Sequence, residues 1–227
     1  MKSMEYSYYR APKSHKHPKV VPIFALGHHK PMGEGEDEFT KTVINFYKYG
    51  NRKETEYLMQ RTLELFEKRF KGDLQYDLVC IIPTHAEKVL NPNMLKFAQE
   101  FAGKVGIKFD QVLERTRTIK GQHEQESIEA RKENVKDSLA IKGDVRGKSI
   151  LVFDNYSISG SNCIDAFDTL ISAGAANVVF ICFGVGFKGK EGDFDLNPNM
   201  GKKVSEIIKM FHWPKLSKEK IAEFKAK

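Results

Sequence analysis

The sequence predicts an α/β protein: a mainly parallel sheet flanked by helices on both faces, with an irregular N-terminal arm and a helical C-terminal tail. Three observations carry this expectation. Residues 76–82, 149–154 and 177–183 are short, nearly unbroken apolar and β-branched runs, as expected of strands covered on both faces. They alternate with segments whose apolar residues recur at helical spacing. The run Ile150 to Phe153 stops at Asp154, crosses a turn of small residues and enters a helical pattern.

Taken in order, residues 1–37 form the arm, 38–184 the core domain and 185–227 the extension. The arm carries Tyr6, Tyr8 and Tyr9, then Pro12, Pro18, Pro22 and Pro31. Its apolar stretch from Val20 to Leu26 contains Pro22, which favours a sheet edge. His15, His17, His28 and His29 are read as solvent-facing, since no Cys or acid stands at ligand spacing; a metal site is the alternative. The acidic turn 33–38 suits the positive end of a helix over 39–46, with divalent-ion binding as the other reading. An amphipathic helix spans 53–70 and closes at Gly72. The strand 76–82 ends at Pro83, and a helix follows at 95–105. A third strand starts at 107 and joins the sheet over 107–113.

Residues 115–134 are polar and without an early apolar period, so they read as a loop feeding a helix over 127–139. After the turn Arg146-Gly147-Lys148 comes the strand at 149–154. A helix then runs from Asn162, with Ile164, Phe167, Leu170 and Ile171 at its spacing and Ala173-Gly174-Ala175 at its end. In the extension, 188–195 is loop-like, and short helices span 204–211 and 217–224. Phe211, Trp213 and Phe224 are expected as packing anchors; base stacking by Trp213 is the alternative.

Composition narrows the classes. The 227 residues carry 37 Lys and Arg against 30 Asp and Glu, a net charge of +7 that suits phosphorylated ligands or nucleic acid. Lysines scattered over solvated helix faces account for the excess equally well. No apolar run is long enough to span a bilayer, so no membrane partner is expected. No signal-type segment opens the chain. Cys80, Cys163 and Cys182 are dispersed, without zinc-finger spacing, and read as buried thiols of a reducing cytoplasm.

Chemistry concentrates in Asp154-Asn-Tyr-Ser-Ile-Ser-Gly-Ser161. A buried strand that ends at an acid and passes through a small-residue loop into a helix is built to hold an anion. Loop amides and helix dipole converge there, and the acid can reach sugar hydroxyls or a metal ion. A second turn, Pro83 to Lys88, offers Thr84, His85 and Lys88 after another strand; an ordinary strand-to-helix turn is the competing reading.

This segment resembles the phosphoribosyl-pyrophosphate (PRPP) motif of type I phosphoribosyltransferases: an apolar strand, two acids and a Thr-Thr-Gly-x-Thr loop. Phe46-Tyr-Lys-Tyr-Gly-Asn51, Val79 to His85, and Arg115, Thr118, Gln122, Arg131 and Asn134 are similar to segments of the ComF-type, competence-associated branch. The second acid is here Asn155, and the loop reads Ile158-Ser159-Gly160-Ser161-Asn162. The cysteine zinc module frequent in that branch is missing.

The resemblance implies a type I phosphoribosyltransferase fold and a set of roles. Asp154 and Asn155 would hold the ribose, with Ser157, Ile158, Ser159, Gly160 and Ser161 around the 5′-phosphate. Thr84, His85 and Lys88 would grip pyrophosphate. Arg115 and Arg117, with Asp154, would be catalytic, and Arg131 and Asn134 would brace the hood. Mg²⁺ would arrive with PRPP and meet Asp154. The acceptor would be a nucleobase or another nitrogen nucleophile. Still open are a binder without turnover, a scaffold in DNA uptake or processing, direct nucleic-acid binding and a homodimer.

Overall fold

The computed structural model describes residues 8–10, 12–29, 37–186, 197–198 and 203–206. Its strands are β1 (Tyr8–Arg10), β2 (Ile23–His29), β3 (Leu78–Ile81), β4 (Lys108–Phe109), β5 (Leu113–Arg115), β6 (Leu139–Ile141), β7 (Ser149–Ser157), β8 (Asn177–Gly186) and β9 (Asn197–Pro198). The helices are α1 (Glu38–Tyr49), α2 (Arg52–Arg69), α3 (Pro92–Val105), α4 (Ile128–Val135) and α5 (Ser161–Ser172).

The main sheet has the order β4-β3-β7-β8-β2-β1-β9. From β4 to β2 every neighbouring pair is parallel, while β1 and β9 add antiparallel pairs at one side. Side chains of β7 alternate between two cores. Leu151 and Phe153 enter an aromatic core with Phe46 of α1, Phe97 and Phe101 of α3, and Phe183. Ile150 and Val152 enter a second core with Cys163, Phe167 and Leu170 of α5. Helices therefore cover both faces, which is why the strands read as unbroken apolar runs. In the first core, Phe97 and Phe183 meet edge to face at 4.8 Å and Phe101 and Phe153 at 5.0 Å.

Local chemistry sets the helix ends near the site. Asp37 caps α1 by accepting from the Thr40 amide at 2.8 Å. Gly50 ends it at φ 63°, where a Cβ would lie 2.3 Å from Asn93 Oδ1, so the turn requires glycine. Asn91 caps α3 through the Asn93 and Met94 amides and donates its own Nδ2 to Tyr47 O. The ends of α1 and α3 are thereby tied together.

Three expectations change. The stretch around Pro22 is no edge: β2 lies between β8 and β1. Pro22 precedes the strand, so its missing N–H falls outside the ladder, while its carbonyl accepts from Phe180 N at 2.9 Å. Of 107–113, only Lys108–Phe109 joins the main sheet. Beyond it the Gln111 carboxamide stands in for a strand, accepting from Ile81 N at 3.1 Å and donating to Ile81 O at 3.0 Å. β5 then pairs antiparallel with β6. The helix expected over 127–139 stops at Val135, because Asp137 takes a left-handed φ of 52° and the chain turns into β6. In the extension, Val204 is fully buried in the aromatic core, and Ser205 N donates to Asp73 Oδ2 at 2.7 Å. The expected anchors Phe211, Trp213 and Phe224 lie outside the described residues.

Candidate phosphate and ribose site

The C-terminal ends of β3, β7 and β8 form one rim, where ligands of open parallel sheets bind. The chain leaves β7 after Ser157, turns through Ile158-Ser159-Gly160 and begins α5 at Ser161. Gly160 has φ 79°, a conformation that side chains strain, and its carbonyl accepts from Ile164 N to start the helix. Ser159 Oγ lies 2.8 Å from Ser161 Oγ and accepts from the Ser161 amide at 3.3 Å. The Ser159 and Gly160 amides donate to no group among the described residues. The Asn162 and Cys163 amides add the open donors of a helix start. Among the described residues, the loop thus leaves backbone donors unspent at a positive helix end.

Asp154 stands just below it. It is buried, and its Oδ1 accepts from the Asn155 amide at 2.8 Å while its Oδ2 has no hydrogen-bond partner among the described residues. Burial pushes its pKa up to about 7; the Asn155 amide and the Arg115 charge oppose that rise. The Tyr47 phenol is pushed up to about 12 by burial and then by the Asp154 charge. Asn155 Oδ1 accepts from the Tyr156 amide at 2.9 Å, and the Tyr156 hydroxyl donates to Thr40 O at 3.2 Å.

The turn after β3 differs. The Thr84 hydroxyl donates to Val89 O at 3.0 Å and accepts from the Ala86 amide at 3.2 Å. The Thr84 amide donates to Val89 O, Glu87 N to Thr118 Oγ1 and Lys88 N to Arg115 O. His85 is exposed and its carbonyl accepts from Ile119 N; Lys88 is exposed and pairs with Glu87 at 3.2 Å.

Arg115 is not at the rim surface, where an arginine meeting pyrophosphate was expected. It is 1% exposed, and its guanidinium donates to Thr84 O at 3.0 Å, Pro83 O at 3.4 Å and Ser138 Oγ. Burial lowers its pKa, and the nearby Asp165 and Asp154 charges counter this. Arg117 donates to Asn134 O at 3.2 Å and Lys136 O at 3.0 Å, closing the last turn of α4. The bracing expected of Asn134 and Arg131 has direct counterparts. Asn134 exchanges bonds with the Lys120 amide and carbonyl, and Arg131 donates to Gln125 O.

Asp165 and Ser138 are additions that the residue pattern did not single out. Asp165 Oδ1 accepts from Asp137 N at 3.1 Å, and Ser138 Oγ lies 3.3 Å from Oδ2. Burial raises the Asp165 pKa to about 6. An acid on the apolar stripe of α5 was the available signal. Asp168, one turn on, accepts from the Ser14 hydroxyl and the His15 amide, and His17 Nε2 lies 3.0 Å from Ser172 Oγ. These contacts bind His15 and His17 to α5; the side chains of His28 and His29 lie outside the described residues.

No family model matches the chain, and no curated protein matches it. Similar solved structures include an allosteric regulatory enzyme of purine biosynthesis, 21% identical over 56% of this chain and 25% of that one, at a TM-score of 0.38. Phosphoribosylpyrophosphate synthetase from Mycobacterium smegmatis is 17% identical over 58% of this chain and 33% of that one, at 0.32. Adenine phosphoribosyltransferase from Thermoanaerobacter pseudethanolicus is 16% identical over 61% and 83%, at 0.39. The aligned region spans a quarter to a third of the first two proteins. At TM-scores this low, none of these likenesses bears on what the chain does. Among the described residues, no helix is long and apolar enough to cross a membrane.

Proposed function

We propose that the chain is a phosphoribosyltransferase-like protein that grips the 5′-phosphoribosyl group of PRPP or a nucleotide on the loop between β7 and α5. The observation that carries this reading is the pairing of unspent amides at Ser159 and Gly160 with a buried, unpartnered carboxylate oxygen on Asp154. A 5′-phosphate satisfies the first and a ribose hydroxyl donates to the second. The Ser159 and Ser161 hydroxyls, 2.8 Å apart on the same loop, are further donors for the phosphate.

Mg²⁺ fits as a companion of pyrophosphate more than as a resident ion. Asp154 is the rim's buried carboxylate, and Asn155 supplies no charge where the motif has a second acid. When bound, the ion would neutralise pyrophosphate oxygens. This chain's part would be orientation: Asp154 on a ribose hydroxyl, the loop on the phosphate, and exposed His85 and Lys88 beside the leaving group. Transfer to a nucleobase or amine is the reaction such a grip serves. The segments similar to the ComF-type branch support membership there.

A second reading, a binder without turnover, is favoured by the turn after β3. There Thr84 and most of the amides are engaged, and Arg115 is buried. Scaffolding in DNA uptake or processing belongs to this reading. Calorimetry with PRPP and with ribose 5-phosphate, each with and without Mg²⁺, tests the grip. Pyrophosphate release over a panel of nucleobases then separates transferase from binder. Absence of binding by both ligands overturns the proposal.

A further inference from the structure

Beside the loop between β7 and α5, one side chain each from β7, α5 and β8 meet. Cys163 sits in the first turn of α5 and Cys182 in β8, opposite Asp154 in the strand register. Their sulfurs are 3.9 Å apart, and a ligand atom of Asp154, Cys163 and Cys182 each lies within 4.8 Å of the other two. All three residues are buried, no disulfide joins the two cysteines, and Asp154 Oδ2 has no hydrogen-bond partner among the described residues.

We infer that Asp154, Cys163 and Cys182 form a binding site for a thiolate-seeking divalent cation of the zinc class. Zinc–sulfur bonds of about 2.3 Å at a tetrahedral angle place two thiolates about 3.8 Å apart, close to the spacing present before any ion enters. A disulfide, by contrast, would require the sulfurs to close to about 2.05 Å. The donor set of two thiolates and one carboxylate selects a borderline-soft ion over Mg²⁺, which prefers oxygen alone. On binding, each thiol, and the Asp154 carboxyl where it is protonated, gives up its proton to solvent, and the ion gains two sulfur bonds and one oxygen bond. Three protein ligands leave the fourth position of a tetrahedral ion for water or a ligand atom. The ion joins the first turn of α5 to β7 and β8, directly beneath the anion loop.

This inference shares Asp154 with the proposed ribose grip but needs no phosphoribosyl ligand, so either can fail alone. The test is titration of the reduced, metal-free protein with Co²⁺, a spectroscopic stand-in for zinc, and then displacement by Zn²⁺. One equivalent of Co²⁺ should produce a thiolate-to-metal charge-transfer band with intense tetrahedral d–d absorption, and Zn²⁺ should bleach both. Cys163→Ser and Cys182→Ser should each lose the charge-transfer intensity, while Cys80→Ser, a buried thiol outside the group, should keep it. Absence of the band in the unmodified protein at saturating Co²⁺ overturns the site whatever the variants do. So does a band that survives the Cys163→Ser/Cys182→Ser double variant.

Discussion

Two loops leave the same rim of the sheet, and they treat their backbone donors in opposite ways. After β7, the Ser159 and Gly160 amides are unspent among the described residues and a helix start adds more. After β3, the Thr84, Ala86, Glu87, Lys88 and Val89 amides all have partners within the protein. An anion entering the first loop gains hydrogen bonds at no structural cost. In the second, it would have to break existing ones, each worth about 0.5–1.5 kcal/mol net. The difference between the two loops is one of donor supply, not donor type. Both hydroxyls are held within their own turns, Thr84 by Val89 O and the Ala86 amide and Ser159 by the Ser161 hydroxyl and amide, so the contrast lies in the backbone amides.

The largest effect that would sharpen this contrast is expected at Arg115. Arg115→Met strips three donors from two carbonyls and the Ser138 hydroxyl in a buried setting. It should cost about 3–5 kcal/mol of stability, read by urea denaturation. A variant as stable as the parent, but without pyrophosphate release, would make Arg115 catalytic and undo its structural assignment.

Next comes Gly160→Val. A Cβ there meets Pro12, Ile23 and Ile164 only at 3.6–3.9 Å, so space is available and the backbone decides. Holding a β-branched residue at φ 79° costs on the order of 1–3 kcal/mol, and ribose 5-phosphate binding should be lost by calorimetry. Parent-like affinity would move the phosphate off this loop.

Asp154 gives a comparable effect with a pH signature. Its folded pKa, about 7, lies above the ordinary carboxylate value, so the folded state holds a proton that the unfolded chain releases. Its contribution to stability is therefore greatest in acid and falls as pH rises from about 4 to about 7. Asp154→Asn should flatten that part of the melting-temperature profile. The same variant should weaken PRPP binding by about 1–3 kcal/mol above pH 7, where the parent carboxylate is charged. Identical profiles for parent and variant would deny Asp154 its buried, titrating role.

The smallest structural effect is expected at Asn155→Asp, a near-isosteric change at a half-buried position. The fold should be kept, since a carboxylate oxygen can still accept from Tyr156 N. Pyrophosphate release that appears or rises on this change identifies a weakened enzyme. Substantial turnover by the parent, changed only modestly by the substitution, identifies an active one.

Much of this molecule was legible from residue patterns because the informative runs are local. Strands β7 and β8 are buried on both faces and read as continuous apolar segments. The loop proposed to hold an anion consists of consecutive residues from Asp154 to Ser161. What escaped involves partners distant in the chain. Gln111 substitutes for a strand because it meets Ile81. Arg115 looked like a ligand-facing cation because its partners Pro83, Thr84 and Ser138 are not its sequence neighbours. Pro22 marked the start of a strand rather than an edge, a one-residue distinction that the ladder to Phe180 decides.

The placement of β2 reaches beyond the site to the way the chain is made. Ile23 is synthesised long before Phe180, its partner in the ladder, yet β2 joins the sheet through β8. β1 can cover one edge of β2 early, but until β8 leaves the ribosome the other edge of this apolar strand must wait unpaired, the condition under which nascent chains aggregate or engage chaperones. Closure of such a distant parallel pair is also slow, because the loop entropy is lost before the contact forms. Assembly of the sheet therefore ends with the meeting of its earliest and latest core strands.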